Sequence, residues 1–271
     1  GFWRLYNRCN IFCRMYSDAD FWEVSSVKRV MLAVAYDGTN YCGWQIQANG
    51  NTIQAELNRA LSDLLNEPVE TMGASRTDAG VHALGNVAVF DTCARMPAEK
   101  ISYALNQRLP EDIKIQYSGE VAADFHPRYC ESEKTYEYCI LNRRFPLPTR
   151  RLYSYFYHYS LDVEKMRKAA AYLVGRHDFA SFCGANAQVK STVREITGIQ
   201  IDKKDDVVTI QVRGHGFLYN MVRIIAGTLI EIGNEQYPPE KMEEILKACD
   251  RQAAGPTAPA CGLTLKEIRF L

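Results

Sequence analysis

The chain has 271 residues, 47% of them hydrophobic, so it can bury a core as one large domain or two smaller ones and is too apolar to be disordered. Its 32 lysines and arginines equal its 32 aspartates and glutamates, so net charge does not indicate a nucleic-acid partner, and any RNA or DNA surface must be a local patch. The nine cysteines are scattered without a CxxC pair, and the five histidines do not cluster. This pattern predicts reduced thiols in a cytoplasmic protein, with no disulfide and no metal ion.

Residues 1–27 are aromatic-rich but interrupted by charges, so they lack the apolar core of a signal peptide. No other run approaches the roughly 20 apolar residues that span a bilayer, which predicts no membrane contact. We treat this segment as an extension of unknown role, and the regular fold as beginning near Val27.

The first half of the chain, residues 28–124, predicts the order strand, helix, strand, loop, strand, helix, strand. Asn51 or Thr52 is available as the N-cap of the first helix, and Pro97 stands at the first position of the second. The strands are predicted at 27–36, 69–72, 86–90 and 113–121, and the helices at 52–66 and 97–108.

The second half, residues 125–271, contains strands in adjacent pairs separated by helices. This arrangement favours an α+β fold of two halves, with a mostly antiparallel mixed sheet and helices on one face, over a parallel Rossmann sheet. No GxGxxG or P-loop segment is present. The strands are predicted at 134–142, 152–159, 192–202, 206–213 and 263–270, and the helices at 161–174, 217–232 and 238–249.

A loop rich in glycine and alanine, GASRTDAGVHALGNVAVF at residues 73–90, carries Arg76, Asp78 and His82 between two apolar runs. Small residues permit tight turns and the close approach of a ligand, which is typical of a binding or catalytic loop. A tight connection in which Asp78 forms an Asx-turn with its own backbone is the alternative. The residues alone leave both interpretations open.

Two further stretches carry charge or aromatic groups. Tyr136 and Tyr138 alternate on one face of the strand at 134–142, where core packing is the commoner role for tyrosine. Just beyond, four arginines flank a proline-rich turn and form either a phosphate-contacting loop or a solvated basic loop. They are Arg143, Arg144, Arg150 and Arg151.

The helix at 217–232 is apolar almost all round and contains Arg223. An unpaired buried charge costs several kcal/mol, so Arg223 should face either a carboxylate or a ligand phosphate.

Five segments taken together resemble the signature segments of the TruA family of tRNA pseudouridine synthases, in family order and over residues 28–271. They are YDGTNYCGWQ, GASRTDAGVHALGNV, DFHPRY with KTYEY, GFLYNMVRIIAGTL and APACGLTL. The resemblance implies a pseudouridine synthase fold, a homodimer and action on uridines 38, 39 and 40 of the tRNA anticodon stem-loop, without cofactor or metal. Two positions depart from the family, Ser75 for a common glycine and Thr264 for a common aromatic residue. Neither is expected to affect the predicted chemistry, and Thr264 is expected at most to alter packing under the pocket.

The resemblance also implies roles for individual residues. Asp78 is the nucleophile or base, by attack at C1′, addition at C6 or a glycal route. Tyr136 stacks on the extruded uracil, and Arg76 fills the vacated space or holds the adjacent phosphate. Arg223 is expected to pair with Asp78 and lower its pKa. His82 is expected to be structural.

Two rival functions are weighed. A non-catalytic RNA-binding module would share the basic patch and the tyrosines but would gain nothing from a carboxylate at Asp78. A glycoside hydrolase usually needs two carboxylates, and this loop supplies one.

Overall fold

The protein is described by a computed structural model that covers residues 27–185 and 189–271, so the extension predicted at residues 1–27 lies almost wholly outside the described residues. Within these ranges ten strands form one sheet, accompanied by five α-helices. The strands are β1 (Lys28–Tyr36), β2 (Met72–Gly73), β3 (His82–Thr92), β4 (Ile113–Val121), β5 (Ser132–Asn142), β6 (Tyr155–Tyr157), β7 (Gly175–Asp178), β8 (Val193–Lys204), β9 (Val207–Gly214) and β10 (Leu263–Phe270). The helices are α1 (Ile53–Leu65), α2 (Ala98–Asn106), α3 (Val163–Ala171), α4 (Met221–Gly233) and α5 (Lys241–Ala248).

The sheet runs in the order β4-β1-β3-β10-β5-β9-β8-β7, with β2 beside β3 and β6 beside β5. Its neighbours are antiparallel except at two places, β3 with β10 and β5 with β6. The predicted α+β fold with a mostly antiparallel sheet is therefore confirmed. The sheet passes from β3 to β5 through β10, which pairs with β3 by Thr264 opposite His82 and Leu265 opposite Ala83.

The helix boundaries follow from local chemistry. Thr52 is the N-cap of α1, and its side chain accepts a hydrogen bond from the amide of Ala55. The helix ends at Asn66, which adopts the left-handed conformation with φ 54°. Pro97 is the N-cap of α2 rather than its first residue, because its ψ of 136° is extended.

Helix α4 is buried on nearly every side, as its apolar sequence predicts. The segment after α5 lies directly on it: a Cβ at Gly227 would meet the carbonyl oxygen of Pro256 at 1.8 Å. The amide of Ala258 donates to the carbonyl of Arg223. The glycine therefore allows the approach that brings Ala258 to the first turn of α4.

The strands differ from the predictions at four places, the first being β2, which comprises Met72–Gly73 rather than residues 69–72. β3 begins at His82 rather than at residue 86, because Ala83 pairs with both Tyr36 and Leu265 although its neighbours are small and loop-like. β6 has three residues rather than the predicted eight. β7 was not predicted, since its sequence GRHD has no apolar alternation and only edge pairing with β8 orders it.

Candidate active site

The loop that joins β2 to β3, residues 74–81, is held from behind by a buried hydrogen-bond network. The hydroxyls of Tyr36 and Thr77 lie 2.8 Å apart. The side-chain amide of Asn86 donates to the Tyr36 hydroxyl at 3.2 Å and to the carbonyl of Ser75 at 3.0 Å. Asn86 is fully buried, so none of these groups can turn to solvent instead. The network therefore fixes Ser75 and Thr77, which flank Arg76, and Thr77 directly precedes Asp78.

The aromatic loop after β1 braces the same segment. The amide of Trp44 donates to the carbonyl of Thr77 at 3.1 Å. Gly43, at φ +89°, lies so close that a Cβ there would meet the Thr77 carbonyl oxygen at 2.5 Å. Both the strained φ and the contact require glycine at this position.

Asp78 forms an ion pair with Arg223. Its Oδ2 lies 3.4 Å from Nη1 of Arg223, and the two side chains are 20% and 17% exposed. Arg223 is oriented by two other acceptors, the carbonyl of Ala258 at 2.8 Å from Nε and Oδ1 of Asn220 at 2.9 Å from Nη1. The Asp78 carboxylate thus bonds a guanidinium rather than its own turn. The Asx-turn alternative therefore does not describe the contact that the Asp78 side chain makes.

The electrostatics of Asp78 are a balance of opposing effects. Burial raises the pKa of the Asp78 carboxyl, and the charge and hydrogen bond of Arg223 lower it by less, so the pKa lies above its usual value. Arg223 lowers the pKa of Asp78 as expected, but burial raises it by more, so the net shift of the Asp78 pKa is upward. The ion pair limits the cost of burying the charge.

Tyr136 lies on β5 at the cavity wall. Its ring meets Phe217 edge-on, with centroids 5.1 Å apart, and its hydroxyl is hydrogen-bonded to the Ser75 hydroxyl at 2.9 Å. Burial raises the pKa of Tyr136 to about 12, so the phenol stays neutral. Ser75, one of the two positions that depart from the family, therefore contacts Tyr136 through its side chain. Tyr138 is fully buried and donates to the carbonyl of Pro259, in the core role expected for it.

The cavity beside Asp78 has a volume of about 690 Å³. It lies between the loop after β2, the segment leading into β5 and the start of α4. Its lining residues are Ala74, Ser75, Arg76, Thr77, Asp78, Val81, Arg128, Lys134, Tyr136, Val189, Phe217, Leu218, Tyr219, Asn220, Met221, Val222 and Leu263.

Two cations of this cavity were missed by the sequence reasoning. Lys134 donates from Nζ to the carbonyl of Ala74 at 3.0 Å, and Arg128 donates from Nε to the carbonyl of Gly73 at 2.9 Å. Burial, and secondarily the charge of Arg128, lower the pKa of Lys134 to about 8. One signal was present: Lys134 precedes Tyr136 by two residues, so both side chains lie on one face of β5.

His82 is structural in its contacts. Its Nδ1 accepts a hydrogen bond from the amide of Gly38 at 3.1 Å, and Nε2 lies 2.9 Å from the carbonyl oxygen of Leu152. The residue is 3% exposed and lies in β3, not in a helical turn after Asp78.

The basic loop, residues 143–151, lies outside the cavity lining. Arg143 is 3.5 Å from Asp206, and Arg144 lies over the ring of Phe145 at 5.1 Å. Arg150 and Arg151 are exposed. The structure therefore brings Arg76, Asp78, Tyr136 and Arg223 together and leaves the four arginines of this loop on a separate surface.

Across residues 27–185 and 189–271, no group of three or more His, Cys, Asp or Glu side chains is arranged to hold a metal ion. None of the helices described there is both long and apolar enough to cross a membrane. An ionised carboxylate on the wall of a cation-rich cavity can act as a nucleophile or base on an anionic ligand.

Comparison with known proteins supplies the context for this geometry. A family model described as tRNA pseudouridine synthase matches residues 32–130 and 169–271. The tRNA pseudouridine synthase A 2 of Clostridium tetani (strain Massachusetts / E88) is 50% identical over 245 residues, covering 90% of this chain and 99% of its own. The tRNA pseudouridine synthase A of Thermoanaerobacter sp. (strain X514) is 47% identical over 244 residues, covering 90% of this chain and 100% of its own. Among solved structures, a Cbf5-Nop10-Gar1 complex aligns with a TM-score of 0.34 at 12% identity, over 74% of this chain and 45% of that one.

Proposed function

This chain belongs to the tRNA pseudouridine synthase family, an isomerase acting on tRNA, and we propose that it converts uridines 38, 39 and 40 of the anticodon stem-loop to pseudouridine. The observation that carries the proposal is the carboxylate of Asp78, which lines a cavity of about 690 Å³ and is paired with Arg223. The five family-like segments support the choice of the anticodon stem-loop.

The reaction breaks the bond between N1 of uracil and C1′ of ribose, turns the base and forms a bond from C5 to C1′. Asp78 is the reacting carboxylate. Attack at C1′ or addition at C6 needs it as a nucleophile, and a glycal route needs it as a base, so each route starts from the ionised form. Arg223 keeps a useful fraction ionised against the effect of burial.

The detached uracil must stay bound while it turns. Tyr136 supplies a neutral aromatic ring at the cavity wall, fixed by Phe217 and Ser75, on which the base stacks. A base in a stem must leave its stack at a cost of a few kcal/mol. Arg76, exposed at the cavity mouth, fills the vacated space or holds the adjacent phosphate.

The remaining parts of the proposal concern assembly and binding. The basic loop, with Arg143, Arg144, Arg150 and Arg151, contacts phosphates of the tRNA. The chain acts as a cytoplasmic homodimer without cofactor or metal. Residues 28–124 form the half that carries Asp78, and residues 125–271 form the half that completes the site.

The test is to incubate the purified protein with tRNAs that carry uridine at positions 38, 39 or 40, in EDTA and without added cofactor, and to map pseudouridine at single-nucleotide resolution. We expect modification at those positions only. A matched tRNA with cytidine at all three should gain no pseudouridine. Modification confined to other uridines, or none in any tRNA, would contradict the proposed positions.

A further inference from the structure

One wall of the cavity carries three cations that have no carboxylate partner. Arg76, Arg128 and Lys134 all line it, and none of them takes part in an ion pair among the residues that the structure describes. Their charges act on one another: Arg76 helps to lower the pKa of Arg128, and Arg128 helps to lower that of Lys134. The three positive groups are therefore close neighbours that repel.

Lys134 is half-buried, and burying a cation without a counter-charge is unfavourable because a single carbonyl does not replace an anion, whereas Arg128 is exposed. Arg128 and Lys134 nevertheless donate to two successive carbonyl oxygens, those of Gly73 and Ala74. These bonds hold both side chains at the entrance of the loop that carries Asp78. Asp78, the one carboxylate of the lining, is already bonded to Arg223.

The opposite wall adds to the positive potential. Helix α4 begins at the cavity, where Asn220, Met221 and Val222 belong to the lining. The N-terminus of a thirteen-residue helix presents amide groups and the positive end of the helix dipole. An anionic group entering here is favoured from both walls.

We propose that Arg128 and Lys134 form a phosphate subsite, with Arg76 at its outer edge, which holds a phosphodiester flanking the extruded uridine. This inference rests on the proposed function and assigns a positioning role to two residues outside the Asp78–Arg223–Tyr136 group. Lys134 and Tyr136 are two residues apart on β5, so their Cα atoms are separated by roughly 7 Å on one face of the strand. One nucleotide can therefore place its base on Tyr136 and its phosphate at Lys134.

Binding of a phosphate at this subsite should be linked to a proton. The pKa of Lys134 is about 8, and an adjacent anion raises it, so binding above that pH takes up a proton. The charged or titratable groups that line the cavity with Lys134 are Arg128, Arg76 and Asp78 from other segments and Tyr136 from its own strand, and the charge of Arg128 acts on Lys134 directly. Its register partners on β9 and β10, Gly214 and Ile268, carry no charge.

The test uses anticodon stem-loop RNA in which one phosphate is replaced by a neutral methylphosphonate, on either the 5′ or the 3′ side of the target uridine. Binding is measured in an Asp78→Asn background, which prevents turnover. We expect the replacement on one side to weaken binding roughly 10- to 100-fold, the range of a charge-assisted hydrogen-bonded contact. When the protein carries Lys134→Met as well as Asp78→Asn, the same methylphosphonate should weaken binding little. A methylphosphonate far from the target uridine serves as the control.

Two results would overturn the subsite: no loss from either flanking replacement, or an equal loss with and without Lys134. The variant Lys134→Arg provides a second measurement, proton uptake on binding, which would not change if Lys134 had only a structural role. It should keep the phosphate dependence, while the proton uptake measured by calorimetry in buffers of different ionisation enthalpy should disappear. Proton uptake that persists in Lys134→Arg also contradicts the assignment. Failure of the proposed function would show separately, as absent pseudouridine at positions 38–40.

Discussion

The loop after β2 carries Asp78, which is partly buried and paired with Arg223 of α4, whereas the basic loop carries arginines that are exposed to solvent. Around the first, Asp78 and Arg223 are 20% and 17% exposed, and a buried network holds the backbone. In the second, Arg150 and Arg151 are exposed, and Arg151 donates to the carbonyl of Pro148 in its own loop. A charge in a partly desolvated site interacts far more strongly than one in screening solvent. Single substitutions should therefore change chemistry at the first loop and only adjust affinity at the second.

The largest effect should come from Asp78→Asn, which keeps the shape of the side chain and removes its charge. We expect single-turnover pseudouridine formation to fall at least about a thousandfold, with tRNA affinity little changed. Asp37→Asn is the matched control, because Asp37 is a carboxylate of a neighbouring turn outside the cavity lining. Near-normal turnover by Asp78→Asn would remove Asp78 from the chemistry.

The next effect concerns Arg223→Ala. The ionised form of Asp78 is the active one, so activity falls as pH drops through the Asp78 pKa, which burial already raises. Loss of the Arg223 charge raises that pKa further, so the acid limb of the pH–rate profile should move to higher pH. Arg223→Lys should restore part of the shift, since a point charge cannot reproduce the planar contacts to Asn220 and Ala258. Profiles are compared under single-turnover conditions, and coincident acid limbs would rule out the ion-pair role.

A smaller effect is expected from Asn86→Ala, which tests the network behind the loop. It leaves the Ser75 carbonyl and the Tyr36 hydroxyl without their buried donor, at a cost of about 1–3 kcal/mol in the free energy of unfolding. Because those groups fix the backbone beside Asp78, kcat should fall as well. Ser118→Ala removes another buried hydrogen bond, to the amide of Ser102, and should lower stability without lowering kcat. If Asn86→Ala and the wild-type protein have equal kcat values in assays without denaturant, the network does not affect catalysis.

The smallest effect should follow from replacing Arg150 and Arg151 by alanine. Each lost phosphate contact reduces the slope of log K against log salt by about 0.7–0.9, so tRNA binding should weaken and become less salt-dependent while single-turnover kcat is kept. The control replaces two other exposed cations by alanine, Arg95 just before α2 and Lys100 within it. If both double variants change the slope of log K against log salt equally, the basic loop contacts the tRNA no more than any other exposed cations do.

The sequence predicts best those features that depend on local pattern. Helix α1 and strands β1 and β4 follow from apolar periodicity, and Arg223 was expected to need an anion because the rest of its helix is apolar. The pairing with Asp78 and the place of Tyr136 came from family resemblance. Lys134 and Arg128 escaped prediction because their positions depend on hydrogen bonds to the carbonyls of Ala74 and Gly73, 60 and 55 residues away in the chain. Such contacts leave no local signal, and the spacing of Lys134 and Tyr136 on β5 indicates only that their side chains share a face.

The central place of β10 has a consequence for biosynthesis. β10 follows every other described strand in the chain, yet it fills the gap between β3 and β5. During translation the earlier strands can assemble as they leave the ribosome, but β3 and β5 then keep open edges with unpaired amides and carbonyls. The nascent protein is thus exposed to edge-to-edge association until β10 has been synthesised, and insertion of Leu263, Leu265 and Ile268 then closes the gap in the described sheet.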